Sequence, residues 1–176
     1  MTPLFEFKDV YYQYPVQEGR HALQGFSVAI PEGEKVAVVG RNGSGKSTFF
    51  LHCNGLYRPK SGTVYFKGEP LAYNRKSLKW LRQQVGLVFQ NPDDQLFSAS
   101  VAQDISFGPL NLGLDETEVR RRVAEAAEIC GITDLLARPT HALSGGEKAR
   151  VALAGVLAME LFICASMRIA QASSRL

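Results

Sequence analysis

At 176 residues the chain is long enough for one domain with a real core, and its 45% apolar and 21% charged residues are those of an ordinary globular protein. A formal net charge of +3, evenly spread, suits a phosphate ligand and argues against a nucleic-acid partner. Three cysteines without CxxC spacing read as reduced thiols rather than a disulfide framework or zinc site. No leader-like apolar segment opens the chain, and the longest apolar run, Val151 to Ala165, is interrupted by Glu160 and falls short of the roughly 20 residues that span a bilayer.

FEFKDVYY (Phe5 to Tyr12) alternates apolar and polar residues, the pattern of a half-buried strand. A second strand is expected around Phe26 to Ile30, closed by the turn at Pro31 to Gly33. KVAVVG (Lys35 to Gly40) is a short β-branched run that reads as a central parallel strand buried on both faces. A glycine-rich loop and a helix from about Lys46 to Cys53 follow, then a strand at Ser61 to Gly68. RKSLKWLRQQ reads as a helix with Leu78 and Leu81 inward, and Val85 to Gln90 as a second buried strand. From about Pro92 to His141 the pattern turns helical. Val119, Val123, Ala126 and Cys130 form one apolar stripe, Asp115 and Glu118 are spaced as a capping pair at its start, and Arg120 to Arg122 form a solvated face with partners such as Arg121 to Glu125.

GRNGSGKST (Gly40 to Thr48) fits G-x-x-x-x-G-K-[ST] between an expected strand and an expected helix. Gly43 and Gly45 permit positive φ, so the N–H groups of Gly40, Asn42, Gly43, Ser44 and Gly45 can turn inward as an anion nest. The following helix adds the positive end of its dipole. Lys46 supplies a cation for the β- and γ-phosphates, and the hydroxyl of Ser47, beside Thr48, can ligate Mg²⁺. The loop therefore predicts a nucleotide triphosphate with Mg²⁺. Upstream, Tyr11, Tyr12 and Tyr14 offer rings that could stack on a base or simply pack within the strand.

Three stretches in order narrow the choice: the phosphate loop, VFQNPDDQLF (Val88 to Phe97) and LSGGE (Leu143 to Glu147). Together with HCNGLYRPKSGTV and LSGGEKARVALAGVLAM they resemble the ATPase subunit of ABC transporters, in the energy-coupling-factor or cobalt-type importer branch, over about Phe5 to Glu160. The resemblance implies an α/β fold: a P-loop NTPase core with a mixed or parallel sheet and an antiparallel β part, plus a small α-helical subdomain. It divides the chain into a nucleotide-binding core (1–91), a helical subdomain (92–142), the signature motif and its helix (143–160) and a tail outside the family pattern (161–176). It implies ATP and Mg²⁺ as cofactors, with Tyr14 (Tyr12 second) against adenine and Gln90 sensing Mg²⁺ and the γ-phosphate. Ser144, Gly145, Gly146 and Glu147 would contact the nucleotide of a second ATPase subunit. An integral membrane subunit would dock near Asn91 to Phe97, making the protein cytoplasmic and peripheral to the membrane, driving uptake of cobalt or nickel ions or a vitamin. Locally, Ser144 and Glu147 are also a capping box, and Glu147 stands where the family usually has glutamine.

After the signature helix the family continues into a strand ending in Asp-Glu, then a histidine switch. Leu161 to Leu176 contains no carboxylate side chain and no histidine, so no catalytic residue is assigned, and the tail reads as frameshift-like. The expected core is then incomplete, lacking the Asp-Glu strand and leaving Val36 to Val39 and Val85 to Phe89 with unpaired edges or exposed faces. The tail's composition would let it extend the signature helix. A decayed or regulatory nucleotide-binding fragment is the alternative. A chromosome-type ABC ATPase lacks its coiled coils here, and a P-loop kinase has no use for LSGGE.

Overall fold

The computed structural model describes residues 2–15, 21–161 and 163–166 of the chain, the last four by backbone alone. They form two compact units, Met1–Arg82 and Gln83–Leu176.

In the first unit, β1 (Phe5–Gln13), β2 (His21–Ile30), β3 (Ser61–Phe66) and β4 (Glu69–Pro70) form a sheet in the order β2-β1-β3-β4. Phe5 and Phe7 face inward by simple alternation. Asp9 then takes a φ of 50° at an irregularity in both of its ladders, and this shift keeps Val10 and Tyr12 on the buried side. Helix α1 (Lys46–Cys53) docks on the sheet through Phe49, whose ring lies 5.0 Å from Phe7 and 5.7 Å from Phe26. Helix α2 (Arg75–Arg82) buries Leu81 and sets Trp80 edge-on to Phe66 at 5.6 Å.

The second unit begins with β5 (Val85–Val88), all four residues buried, and a 3-10 turn at Pro92–Asp94. Helices α3 (Val101–Asn111), α4 (Glu116–Ile129) and α5 (Gly145–Leu157) share one apolar core of Val101, Ile105, Val119, Val123, Ala126 and Val151 with their neighbours. The stripe expected on α4 is there, with Cys130 at its end partly buried as the C-cap, and Asp115 caps the helix by accepting from the Glu118 amide at 3.0 Å. Arg121 meets Glu125 at 2.6 Å as expected. Arg122, by contrast, is mostly buried, bound to Glu118 at 2.7 Å and Glu160 at 3.0 Å, so the arginine run is not wholly a solvated face.

The expected mixed or parallel core sheet does not form: the four-stranded sheet is antiparallel throughout. Lys35 to Gly40, read as its central parallel strand, has no strand structure, and Val36 and Val39 are 51% and 89% exposed. A doubly buried strand needs neighbours on both edges and an apolar layer on both faces. Its own β-branched residues can supply neither. Nor does the tail extend the signature helix. The chain turns after Leu157, Glu160 takes a φ of 50°, and β6 (Ile163–Ser166) pairs in parallel with β5, register Val85 to Ile163. The edge expected to be bare on β5 is thus partly occupied, whereas Val36 and Val39 are exposed as anticipated. The rest of the tail, 167–176, lies outside the described residues.

Candidate nucleotide-binding site

The phosphate loop ends where α1 begins. Gly45 is the N-cap in a left-handed conformation, φ 89° and ψ 4°, and Gly43 has φ 79°. These turns fold the chain so that Ser44 N–H donates to the Arg41 carbonyl at 3.1 Å and α1's first intrahelical bond runs from Phe49 N–H to Gly45 at 2.8 Å. The amides of Gly43, Gly45, Lys46 and Ser47 have no acceptor among the described residues. Lys46 folds back over this loop, its ammonium donating to the carbonyls of Gly40 at 2.6 Å and Arg41 at 2.8 Å. Ser47 is exposed in the first turn of α1, and Thr48 is buried.

Donors without acceptors at a helix N-terminus, beside a cation held among the described residues by oxygens of its own loop, make a set that a polyphosphate fits. Such an anion would take the free amides and draw the ammonium from the carbonyls. Asn42 is exposed and Gly40 is tightly placed, since a Cβ there would lie 2.7 Å from Ser44 Oγ. The exposed hydroxyl of Ser47 offers one oxygen ligand to a divalent cation riding on that polyphosphate.

Tyr14 reaches the same loop. Its hydroxyl is 2.9 Å from Thr48 Oγ1, and its ring stands edge-on to Tyr12 and Tyr57. Tyr12 is buried and stacked on Tyr57 at 4.9 Å, which leaves Tyr14 as the partly exposed ring of the pair named from sequence. Two residues here escaped the sequence reading. His52 is fully buried, and its Nδ1 donates to the Thr48 carbonyl at 2.7 Å; burial pushes its pKa below the usual histidine value, so the ring is neutral. Tyr57 completes the aromatic group. The available signals were the i,i+4 spacing of Thr48 and His52, and a tyrosine just past the end of the expected helix.

Gln90 and the signature residues belong to the second unit. Gln90 is exposed two residues beyond β5. Asn91 caps the turn that follows, Gln95 Oε1 accepts from the Phe89 amide at 2.9 Å, and Gln95 Nε2 donates to the Ala152 carbonyl of α5 at 3.1 Å. Asp93 pairs with Lys148 at 2.5 Å, so the turn after Gln90 is bound to the signature helix at two points. Ser144 N-caps α5, and the capping box closes when the Ser144 amide donates to Glu147 at 2.7 Å. That amide, the Ser144 hydroxyl and nearby Arg138 hold the Glu147 carboxyl below its ordinary pKa. Gly145 and Gly146 have open space where a Cβ would lie. Phe97 and Phe107 are exposed and edge-to-face at 4.7 Å. Among the described residues no helix is long and apolar enough to cross a membrane.

A glycine-rich loop opening a helix, with a free amide nest and its lysine, defines a nucleotide-binding protein of the P-loop kind. The ABC transporter family profile matches residues 23–164, and the chain belongs to that family. It is homologous to the ATP-binding subunits of the energy-coupling-factor and cobalt-type branch. It is 51% identical over 160 residues to the energy-coupling factor transporter ATP-binding protein EcfA of Methanosphaera stadtmanae, covering 91% of this chain and 57% of the relative. It is 52% identical over 159 residues to the cobalt import ATP-binding protein CbiO of Rhodobacter capsulatus, covering 90% of this chain and 56% of the relative. The chain thus spans a little over half the length of these relatives. Among solved structures it is similar to cbiO1 of Clostridium perfringens, part of the transporter complex cbiONQ, with TM-score 0.81, 46% identity, and coverage of 94% of this chain and 65% of that one. It is also similar to an ATP-binding cassette dimer in a post-hydrolysis state bound to ADP and Pi, with TM-score 0.83, 27% identity, and coverage of 92% and 72%.

Proposed function

We propose that the chain is the ATP-binding part of an ABC-type importer subunit of the energy-coupling-factor or cobalt branch, taking ATP with Mg²⁺ at Gly40 to Thr48. The observation that carries this is the phosphate loop itself: free amides at the start of α1 and a Lys46 ammonium resting on loop carbonyls. Lys46 and the amides would hold the phosphates, Ser47 would ligate Mg²⁺ and Tyr14 would take the base, while Gln90 keeps the Mg²⁺ role that the family resemblance gives it. Ser144 to Glu147 would face the nucleotide of a second ATPase subunit, homologous or identical. The dimeric relative with ADP and Pi supports that arrangement. The exposed surface around Asn91 to Phe97 would meet a membrane subunit, as the relative from the cbiONQ complex suggests, placing the chain on the cytoplasmic face. The imported substrate is a cobalt or nickel ion or a vitamin, and the name of the Rhodobacter capsulatus relative supports cobalt.

Residues 161–176 contain no carboxylate or histidine side chain, so the general base that the family resemblance implies would not come from them. The second reading is a regulatory or decayed nucleotide-binding fragment. Titration calorimetry with Mg·ATP tests the main reading. Lys46→Ala should weaken binding about 10- to 150-fold, the worth of a charge-assisted hydrogen-bond set. Wild-type affinity in that variant would refute the site. ATPase turnover measured with partner subunits then separates the two readings, since the fragment binds and never supports turnover.

A further inference from the structure

Thr48 is the residue on which the aromatic group converges. Its hydroxyl meets the Tyr14 hydroxyl at 2.9 Å, and its carbonyl takes the His52 Nδ1 proton at 2.7 Å. His52 stands edge-on to Tyr12 at 4.8 Å, Tyr12 stacks on Tyr57 with 15° between the planes, and Tyr57 meets Tyr14 edge-on at 5.6 Å. The chain of contacts therefore closes on itself: Thr48, Tyr14, Tyr57, Tyr12, His52 and back to Thr48. Tyr14 lies just past the end of β1, beyond the last laddered residue, Gln13. Among the described residues no ladder bond holds it, and its hydroxyl and ring contacts do.

We propose that Tyr57 and the Tyr14–Thr48 hydroxyl bond are the positioning elements for base recognition at this site, making Thr48 and Tyr57 determinants of its preference for a nucleoside triphosphate over a bare polyphosphate. This rests on the ATP-binding reading above. A ring on an unladdered strand end would lose rotamer freedom on meeting a base. The hydroxyl tie and the Tyr57 edge remove that freedom beforehand, which is preorganisation. They also set the ring one hydroxyl bond away from the phosphate-loop helix, within the span of one nucleotide. Thr48 is 3% and His52 0% exposed, so the anchor cannot drift.

The test is calorimetric titration of the full chain with Mg·ATP and, separately, with Mg·tripolyphosphate, read as the ratio of the two affinities. Tyr14→Phe keeps the ring and deletes the tie. It should lower ATP affinity about three- to tenfold and leave tripolyphosphate unchanged, which also shows that the loop is folded. Tyr57→Ala should lower the ratio similarly, and Tyr57→Phe, which keeps the ring but loses the hydroxyl bonded to Tyr14, should recover part of it. Thr48→Val will weaken both ligands, but its ratio should fall as in Tyr14→Phe, and the double variant should fall no further. A wild-type ratio in Tyr14→Phe or Tyr57→Ala, or additive losses in the double variant, would overturn the inference while tripolyphosphate binding upholds the phosphate site. A wild-type chain that binds neither ligand overturns both.

Discussion

Replacing Gly45 with alanine asks whether the shape of the phosphate loop, beyond its composition, starts α1. Gly45 sits at φ 89°, where an L-residue is disfavoured by about 1–2 kcal/mol. A Cβ there would lie 2.5 Å from the Ala22 carbonyl oxygen and 3.1 Å from Leu23 Cδ2. The first of these is main chain within β2 and cannot rotate away, so the helix start must shift, at an overpacking cost of about 1–3 kcal/mol. The two terms sum to about 2–5 kcal/mol, or roughly 4–20 °C in Tm at about 2–4 °C per kcal/mol for a chain of this size. Gly33 is the control: its φ is 79° and nothing lies within 4 Å of its Cβ position, so Gly33→Ala bears only the dihedral cost. Melting both variants by circular dichroism and titrating each with Mg·ATP separates the contributions. Gly45→Ala should melt lower than Gly33→Ala and bind ATP weakly. Equal shifts in the two variants, or full ATP affinity in Gly45→Ala, would refute the reasoning.

Ser144→Ala removes the N-cap of α5 and should cost about 1 kcal/mol in urea denaturation, with no loss in a Ser144→Asp comparison. Asp104→Ala strands the amides of Phe97 and Ser98, which its carboxylate accepts at 3.0 and 2.8 Å, and should cost about 1–3 kcal/mol by the same measurement. His52 has a lowered pKa in the folded chain, so the unfolded chain takes up its proton first. Stability should fall as the pH drops below about 6.5, and the fall between pH 7.5 and 5.5 should be smaller in His52→Gln. Glu118 is held down to about 2 by hydrogen bonds from Arg121 and Arg122, so its contribution is present above about 4.5 and lost as the pH falls toward 2. Because Arg121 is half-exposed and Glu118 partly so, 1 M salt should flatten that acid limb of the curve in wild type and change it less in Arg122→Ala.

Local signals were legible wherever the energy is local. The capping box at Ser144 and Glu147, the Asp115 cap and the α4 stripe all depend on residues three or four apart, and all are present. The phosphate loop is legible for the same reason: two glycines and a helix start determine where its amides point. Lys35 to Gly40 shows the limit. A β-branched run reports that a segment could be buried, but strand structure requires partners elsewhere in the chain. The tail failed in the other direction. Its helix formers favoured continuation of α5, yet Glu160 at φ 50° and the open edge of β5 redirected Ile163 to Ser166 into a ladder. The aromatic group around Thr48 was half legible. Tyr12 and Tyr14 stand out in VYYQYP, whereas Tyr57 joins them only because the fold brings its loop beneath the end of β1.

Gln95 and the Asp93–Lys148 pair make the stretch after Gln90 and the front half of α5 a single lever. One amide side chain holds both the Phe89 N–H and the Ala152 carbonyl, and the ion pair holds the turn a helical turn earlier along α5. Residues 92–95 are thereby tied to α5 at Lys148 and Ala152, one and two turns beyond its Ser144 cap. The amide proton of Phe89, though beyond the end of β5, should exchange with solvent only when that lever opens.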